Sequence, residues 1–216
     1  MSIKRNLDEI IQNNLYSEIV QGKWSPGLNL SVDEIMEEYG VSRTPVIQAL
    51  KKMNGVGVVD FSKEGHFIVP EYSLKQVKDI LDVRRLLEHY ALNEVENEHL
   101  KIDFEQLDIL CQKGIESIEK GDVIETRLSD LEFHRLLIAQ ADNECLSESY
   151  RRVQSKFMIA NYLIGRHTAL MQTVACSDHE KILEMLKKEN FADAHKVLDE
   201  HISGAFEKIK NRMPKQ

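Results

Sequence analysis

LSVDEIMEEYGVSRTPVIQALKKM, residues 30–53, is the stretch whose reading decides the fold. Ser31 with Glu34 three residues later has capping-box spacing and opens a short helix. Ile35, Met36 and Tyr39 give that helix an apolar side. Gly40 ends it, since glycine enters the left-handed region without steric cost. Ser42 stands where it can cap a second helix, and Pro45 falls in the first turn, where a missing N–H costs little. Val46, Leu50 and Met53 make the inner stripe of this second helix, which leaves Arg43, Thr44, Gln48, Lys51 and Lys52 on its outer side. Periodicity alone leaves two readings open. One is a helical hairpin inside a core; the other is a helix-turn-helix that offers its second helix to the DNA major groove.

The flanking residues add weight to the second reading. Leu7, Ile10, Ile11, Leu15, Ile19 and Val20 predict an amphipathic first helix ending near Gly22, and Trp24-Ser-Pro-Gly27 predicts a turn. Val56–Phe61 and His66–Val69 are β-rich runs joined by Ser-Lys-Glu-Gly, the pattern of a hairpin. Helix, helix-turn-helix and hairpin in that order make a winged helix over residues 1–72, with Lys63, Glu64, Gly65 and His66 at the wing tip. From Ser73 onward every strong signal is helical. One helix runs to about Glu98, and others are expected over 103–120, 122–141, 144–165, 178–189 and 191–211. Breaks fall at Gly121, around Asp142-Asn143 and across Arg166–Ser177. Consecutive helices with short links predict an antiparallel all-α bundle over residues 73–216, so the chain is mostly α.

Composition bounds the class. The 216 residues are 42% hydrophobic and 30% charged, ordinary for a soluble globular protein. No apolar run approaches the roughly 20 residues that span a bilayer, and MSIKRNLDEI has no apolar signal core, so a cytoplasmic protein without a membrane anchor is expected. Cys111, Cys145 and Cys176 are odd in number and widely spaced, as reduced thiols are and zinc-finger cysteines are not. A net charge of −8 argues against a nonspecific nucleic-acid coat, though not against a local basic stripe.

Pro26-Gly27-x-x-Leu30, Gly40-Val-Ser-Arg-Thr-Pro-Val46, Ala49-Leu50 and the Gly65-x-Phe67-x-Val69 wing resemble a GntR-type transcription regulator, and the helical half resembles that family's FadR-like (FCD) C-terminal domain. The resemblance covers nearly the whole chain. It implies a homodimer whose two heads sit on a palindromic operator in double-stranded DNA, with contacts at Arg43, Thr44 and Gln48 and a wing that reaches the minor groove near Gly65 and His66. Chemically, Arg43 suits bidentate bonding to guanine O6 and N7. Thr44 and the helix N-terminus suit phosphate, and Lys51, Lys52 and Lys63 add salt-dependent attraction. Two departures bear on what is read. Ile47 stands where the family usually has a second arginine, and Asp33 where members often carry one ten residues before Arg43. The base preference is therefore expected to differ from the family's common palindrome. Ile47 either touches a thymine methyl or packs inside.

The helical half places four polar residues on apolar faces. Asp130 and His134 are four apart and share a face with Leu131, Leu137, Ile138 and Ala141. His179 lies on the face of Ile182 and Leu186, and His201 on that of Leu198, Ile202 and Ala205. Buried polar groups need partners. A divalent cation would satisfy all four at once; hydrogen bonds within the core are the other reading. His89, His99, His167 and His195 are assigned to ordinary core hydrogen bonding or to solvent, with His195 beside Lys196 and Asp199 taken as solvated. The resemblance selects the cation. DLEFH at 130–134, Asn143, SDHEKILEML and LDEHI match the family's metal-site pattern, so Asp130, His134, His179 and His201 carry over as ligands for Zn²⁺, Ni²⁺ or Mn²⁺.

The family also has an arginine followed four residues later by glutamate, matching Arg84 and Glu88. It implies that Arg84 faces a cavity and binds the carboxylate of a small organic acid effector; a structural Arg84–Glu88 salt bridge is the competing reading. The expected function is a ligand-responsive repressor. The alternatives are a metalloenzyme built on the same site and a regulator that senses the metal directly.

Overall fold

The computed structural model describes residues 7–164 and 172–211. The side chains of Val20 and Cys176, together with His167, lie outside the described residues. By contact the chain divides into two units. The first holds the residues up to Ser73 together with Ser155–Ile164; the second holds Leu74–Gln154 and the residues from 165 onward. A linear division at 72/73 puts Ser155–Ile164 with the C-terminal half, whereas their contacts are with the first unit.

In the first unit α1 (Leu7–Gln21), α2 (Val32–Tyr39) and α3 (Arg43–Gly55) precede a two-stranded antiparallel sheet, β1 (Asp60–Phe61) and β2 (Phe67–Ile68). The Ser31 hydroxyl accepts the backbone N–H of Glu34, and Gly40 closes α2 in the left-handed region at φ 64° with its N–H on the Met36 carbonyl. Ser42 occupies the cap position of α3, but its side chain makes no capping hydrogen bond. Ile11, Leu15 and Ile19 of α1, Ile35 of α2 and Val46, Ala49, Leu50 and Met53 of α3 bury together with Trp24, Val58, Val59, Phe67 and Ile159. Leu7 and Ile10, expected on the buried face, are exposed: the core contacts of α1 run along 11, 15 and 19, and a helix covers only one stripe.

The wing is shorter than the sequence suggests. Asp60 pairs with Ile68 and Phe61 with Phe67, so Val56–Val59 are not strand. Val58 and Val59 instead fill the core of the first unit, where Asn54 Nδ2 donates to the Val59 carbonyl. Asn29 bridges to Ile68, so the segment before α2 also borders the sheet. Gly65 makes the tip turn at φ 90°, its N–H on the Ser62 carbonyl.

Among the described residues the second unit is built from helices. It comprises α4 (Leu74–Asn97), α5 (Phe104–Glu119), α6 (Val123–Ala139), the first half of α7 (Glu144–Ile164), α8 (Gln172–Lys187) and α9 (Phe191–Lys210). Asp103, Asp122 and Asn190 each accept a backbone N–H three residues on, which fixes the starts of α5, α6 and α9. Asn143 does the same for Leu146, after Asp142 turns the chain at φ 47°. α8 begins at Gln172, six residues before the expected start at 178. α5 packs on α6 and α8, α9 on α4 and α8, and α4 on α6, so the inward faces of α4, α6, α8 and α9 converge. Among the described residues no helix is long and apolar enough to cross a membrane.

Candidate functional site

At that convergence the structure brings together Asp130 and His134 of α6, His179 of α8 and His201 of α9. One ligand atom from each lies within 4.8 Å of all the others, a grouping able to hold a metal ion. The three histidines are buried and Asp130 is partly buried. His134 Nε2 is 3.0 Å from His179 Nε2 and 3.1 Å from His201 Nε2, and Asp130 Oδ1 is 3.4 Å from His179 Nε2. Phe133 lies face to face with the His179 ring at 4.1 Å between centroids and holds its plane. Two nitrogens at about 2.0–2.1 Å from one tetrahedral ion sit about 3.3 Å apart, close to the spacing of these three imidazoles.

The partners of the opposite ring nitrogens set the tautomers. His134 Nδ1 is 3.0 Å from Glu88 Oε2, which accepts the Nδ1–H and leaves the Nε2 lone pair facing the cluster. His201 Nδ1 faces Asp178 Oδ2 at 3.6 Å. The cluster thus gathers three imidazoles and a carboxylate, a donor set that a divalent cation would take. The donor set fits a borderline transition metal.

Glu88 anchors a second layer. Its Oε1 accepts from Arg84 Nε and from the Tyr150 hydroxyl, each at 2.6 Å, and all three side chains are buried. Burial opposes the Glu88 charge. Arg84, His134 and the hydrogen bonds of His134 and Tyr150 overcome that and hold the carboxyl well below its ordinary range. Burial likewise opposes the Arg84 charge, which Glu88, Tyr150 and Asp130 sustain. Sequence reasoning paired Arg84 with Glu88; it missed Tyr150 and the role of Glu88 toward His134, which lie 62 and 46 residues away with no local pattern to announce them.

His179 takes up a proton only far below the usual imidazole range, because burial comes first and His134, His201 and Arg84 add to it. His134 is shifted the same way by burial and Arg84. In the unfolded chain both titrate near the ordinary value of about 6.5. Below that pH the unfolded state binds protons that the folded, metal-free state refuses. The contribution to stability is thus intact above about 6.5 and is lost as the pH falls. Urea unfolding of chelator-stripped protein should show a lower midpoint at about pH 5.5 than at about pH 7.5, and a smaller difference in His179→Ala. Equal drops in both proteins would contradict the neutral assignment of His179.

The residues expected to contact DNA all belong to the first unit. Arg43, Thr44, Gln48, Lys51 and Lys52 of α3 are exposed, as are Lys63, Gly65 and His66 of the wing. Ile47 is half-buried. Two of the cations already have partners: Arg43 Nη1 lies 2.8 Å from Asp33 Oδ1, and Lys52 Nζ lies 2.5 Å from Asp8 Oδ2. The residue that departs from the family at position 33 thus meets the arginine expected to read the base.

His195 is not simply solvated. It is half-buried and its Nδ1 meets that of His89. Cys111 is buried and Cys145 exposed, both as free thiols.

A winged head and a helical unit with a His/Asp cluster define a two-part DNA-binding regulator. The description "Bacterial regulatory proteins, gntR family" matches residues 7–68 and "FCD domain" matches residues 79–204, so the chain belongs to the GntR family of transcription regulators and to its FCD-containing, FadR-like branch. It is 28% identical to the uncharacterized HTH-type transcriptional regulator YdhC of Bacillus subtilis, over 92% of this chain and 89% of that one. It is 26% identical to the gluconate operon transcriptional repressor of the same organism, over 86% and 82%. Among solved structures, Escherichia coli McbR/YncC superposes with a TM-score of 0.77 at 22% identity, over 95% of this chain and 98% of that one. A GntR regulator from Rhodococcus gives 0.79 at 18% identity, over 96% and 99%. These matches are to transcription regulators, which removes the enzyme alternative.

Proposed function

We propose that this GntR-family regulator is a homodimeric, cytoplasmic repressor. Its helical unit binds one Zn²⁺, Ni²⁺ or Mn²⁺ through Asp130, His134, His179 and His201, and it releases a palindromic operator when a small carboxylate joins that ion. The meeting of Asp130, His134, His179 and His201, with one ligand atom of each within 4.8 Å of the others, carries this reading. The bound ion would supply a Lewis-acid anchor for a carboxylate oxygen. Glu88 fixes the His134 tautomer, Phe133 fixes the His179 ring, and Arg84 supplies the positive charge that favours an anion at this end of the cluster. On the DNA side, Arg43 reads a base, Gln48 and the wing residues Gly65 and His66 refine the fit, and Thr44, Lys51 and Lys52 hold phosphate. The gluconate operon repressor among the relatives supports repression and an acidic effector class. An effector acts only through its differential affinity for the DNA-competent and incompetent states.

The test is a thermal-shift screen of metal-loaded protein against small sugar acids and hydroxy acids, with His179→Ala and Arg84→Lys. Lysine keeps the charge that Glu88 needs but loses the planar fork. A stabilising acid should lose its effect in His179→Ala and weaken about tenfold or more in Arg84→Lys. An acid that stabilises all three proteins equally overturns the pocket. Metal that changes operator affinity with no acid present would favour direct metal sensing.

A further inference from the structure

A second imidazole pair lies outside the cluster, on the seam between α4 and α9. His89 Nδ1 and His195 Nδ1 are 2.5 Å apart, with rings within 13° of parallel and centroids separated by 4.6 Å. Face-to-face stacking keeps ring atoms about 3.5 Å apart. These rings therefore meet edge to edge in nearly one plane, their nitrogens aimed at each other. His89 Nε2 lies 3.0 Å from Asp199 Oδ1, which puts the ring proton on Nε2 and leaves the Nδ1 lone pair toward His195. Asp199 is itself held by Arg85, whose Nε is 2.9 Å from the same oxygen and whose Nη2 donates to Ser203 Oγ.

We propose that His89 and His195 form a second transition-metal site, a two-imidazole clamp that takes Cu²⁺, Ni²⁺ or Zn²⁺ through the facing Nδ1 atoms, with water completing the coordination. A carboxylate on the far nitrogen of a ligating histidine orients the ring and raises its basicity, and Asp199 does this for His89. At a Zn–N distance of about 2.0–2.1 Å two nitrogens on one tetrahedral ion are about 3.3 Å apart, so the rings need to separate by roughly 0.8 Å. Imidazole donors without thiolate select these three metals over Mg²⁺ or Ca²⁺. An ion here would cross-link α4 to α9. The site does not depend on the Asp130 cluster or on any effector.

The experiment is a calorimetric titration of untagged, chelator-stripped, full-length protein with NiCl₂, repeated with ZnSO₄. The wild type should take two ions per chain and His195→Gln one. The His134→Ala/His179→Ala protein should keep one, which disappears when His195→Gln is added. Asp199→Asn should weaken that remaining ion by about 10–100-fold. Circular dichroism checks the fold of each variant. With Cu²⁺, the wild type should give an electron paramagnetic resonance signal from two nitrogen donors that His195→Gln loses. An unchanged stoichiometry in His195→Gln overturns the clamp, whereas an unchanged stoichiometry in the double alanine variant overturns the Asp130 site.

Discussion

Glu88→Ala is expected to lower stability by about 3–5 kcal/mol, because it leaves Arg84 as an uncompensated buried charge. Glu88 is fully buried and is shared by Arg84, Tyr150 and His134, so the deletion also orphans a tyrosine hydroxyl and frees the His134 ring. Differential scanning calorimetry should record a fall of about 10 °C or more. Stability and metal affinity can be separated. The double replacement Arg84→Met/Glu88→Leu removes both charges and fills the space, so it should recover most of the lost stability, as buried ion pairs generally do when exchanged for packed apolar groups. It should not recover metal affinity, which stays about 10–100-fold weaker because His134 Nδ1 has lost its carboxylate. If Glu88→Ala bound metal as tightly as the wild type, Glu88 would be a structural residue alone.

How far the sequence carried depends on how local each signal was. The helix-turn-helix was legible because Ser31, Gly40 and Pro45 punctuate it within a few residues and the stripe Val46, Leu50, Met53 has a single period. The starts of α5, α6 and α9 were legible for the same reason, each within a residue of an Asp or Asn cap. Val56–Val59 misled because β-branched residues serve a buried turn as well as a strand, and only tertiary contact separates the two. The start of α8 was missed because Ser177, with Glu180 three residues on, has capping-box spacing just before the strong DHEKILEML periodicity, yet it lies inside the helix. The cluster of Asp130, His134, His179 and His201 could be found because each histidine sits among apolar residues at helical spacing. The partners of those residues could not. Glu88, Tyr150 and Asp178 look like ordinary helix residues until four helices meet, and His89 and His195 are 106 positions apart. Spacing within one helix reports which way a side chain points and says nothing of what it meets.

Arg43→Ala should abolish operator discrimination while leaving weak general affinity for DNA. A bidentate arginine–guanine contact is worth about 1–3 kcal/mol of discrimination, and a dimer loses it in both half-sites. Selection from a randomised duplex pool should enrich a guanine-containing palindrome with the wild type and no common sequence with Arg43→Ala. Lys51→Ala should instead weaken all duplexes alike and reduce the slope of log affinity against log salt by about 1. The Arg43–Asp33 pair makes the mechanism sharper. Both side chains are exposed, so giving up Asp33 for a base would cost little. The negative charge of Asp33 would also oppose phosphate in the proposed complex. Asp33→Asn is therefore expected to raise affinity for every duplex and leave the enriched guanine unchanged. If Asp33→Asn instead shifted the enriched sequence, Asp33 would be reading a base itself, as an acceptor for a cytosine amino group, and the altered preference of this head would reside in the carboxylate and not in Ile47.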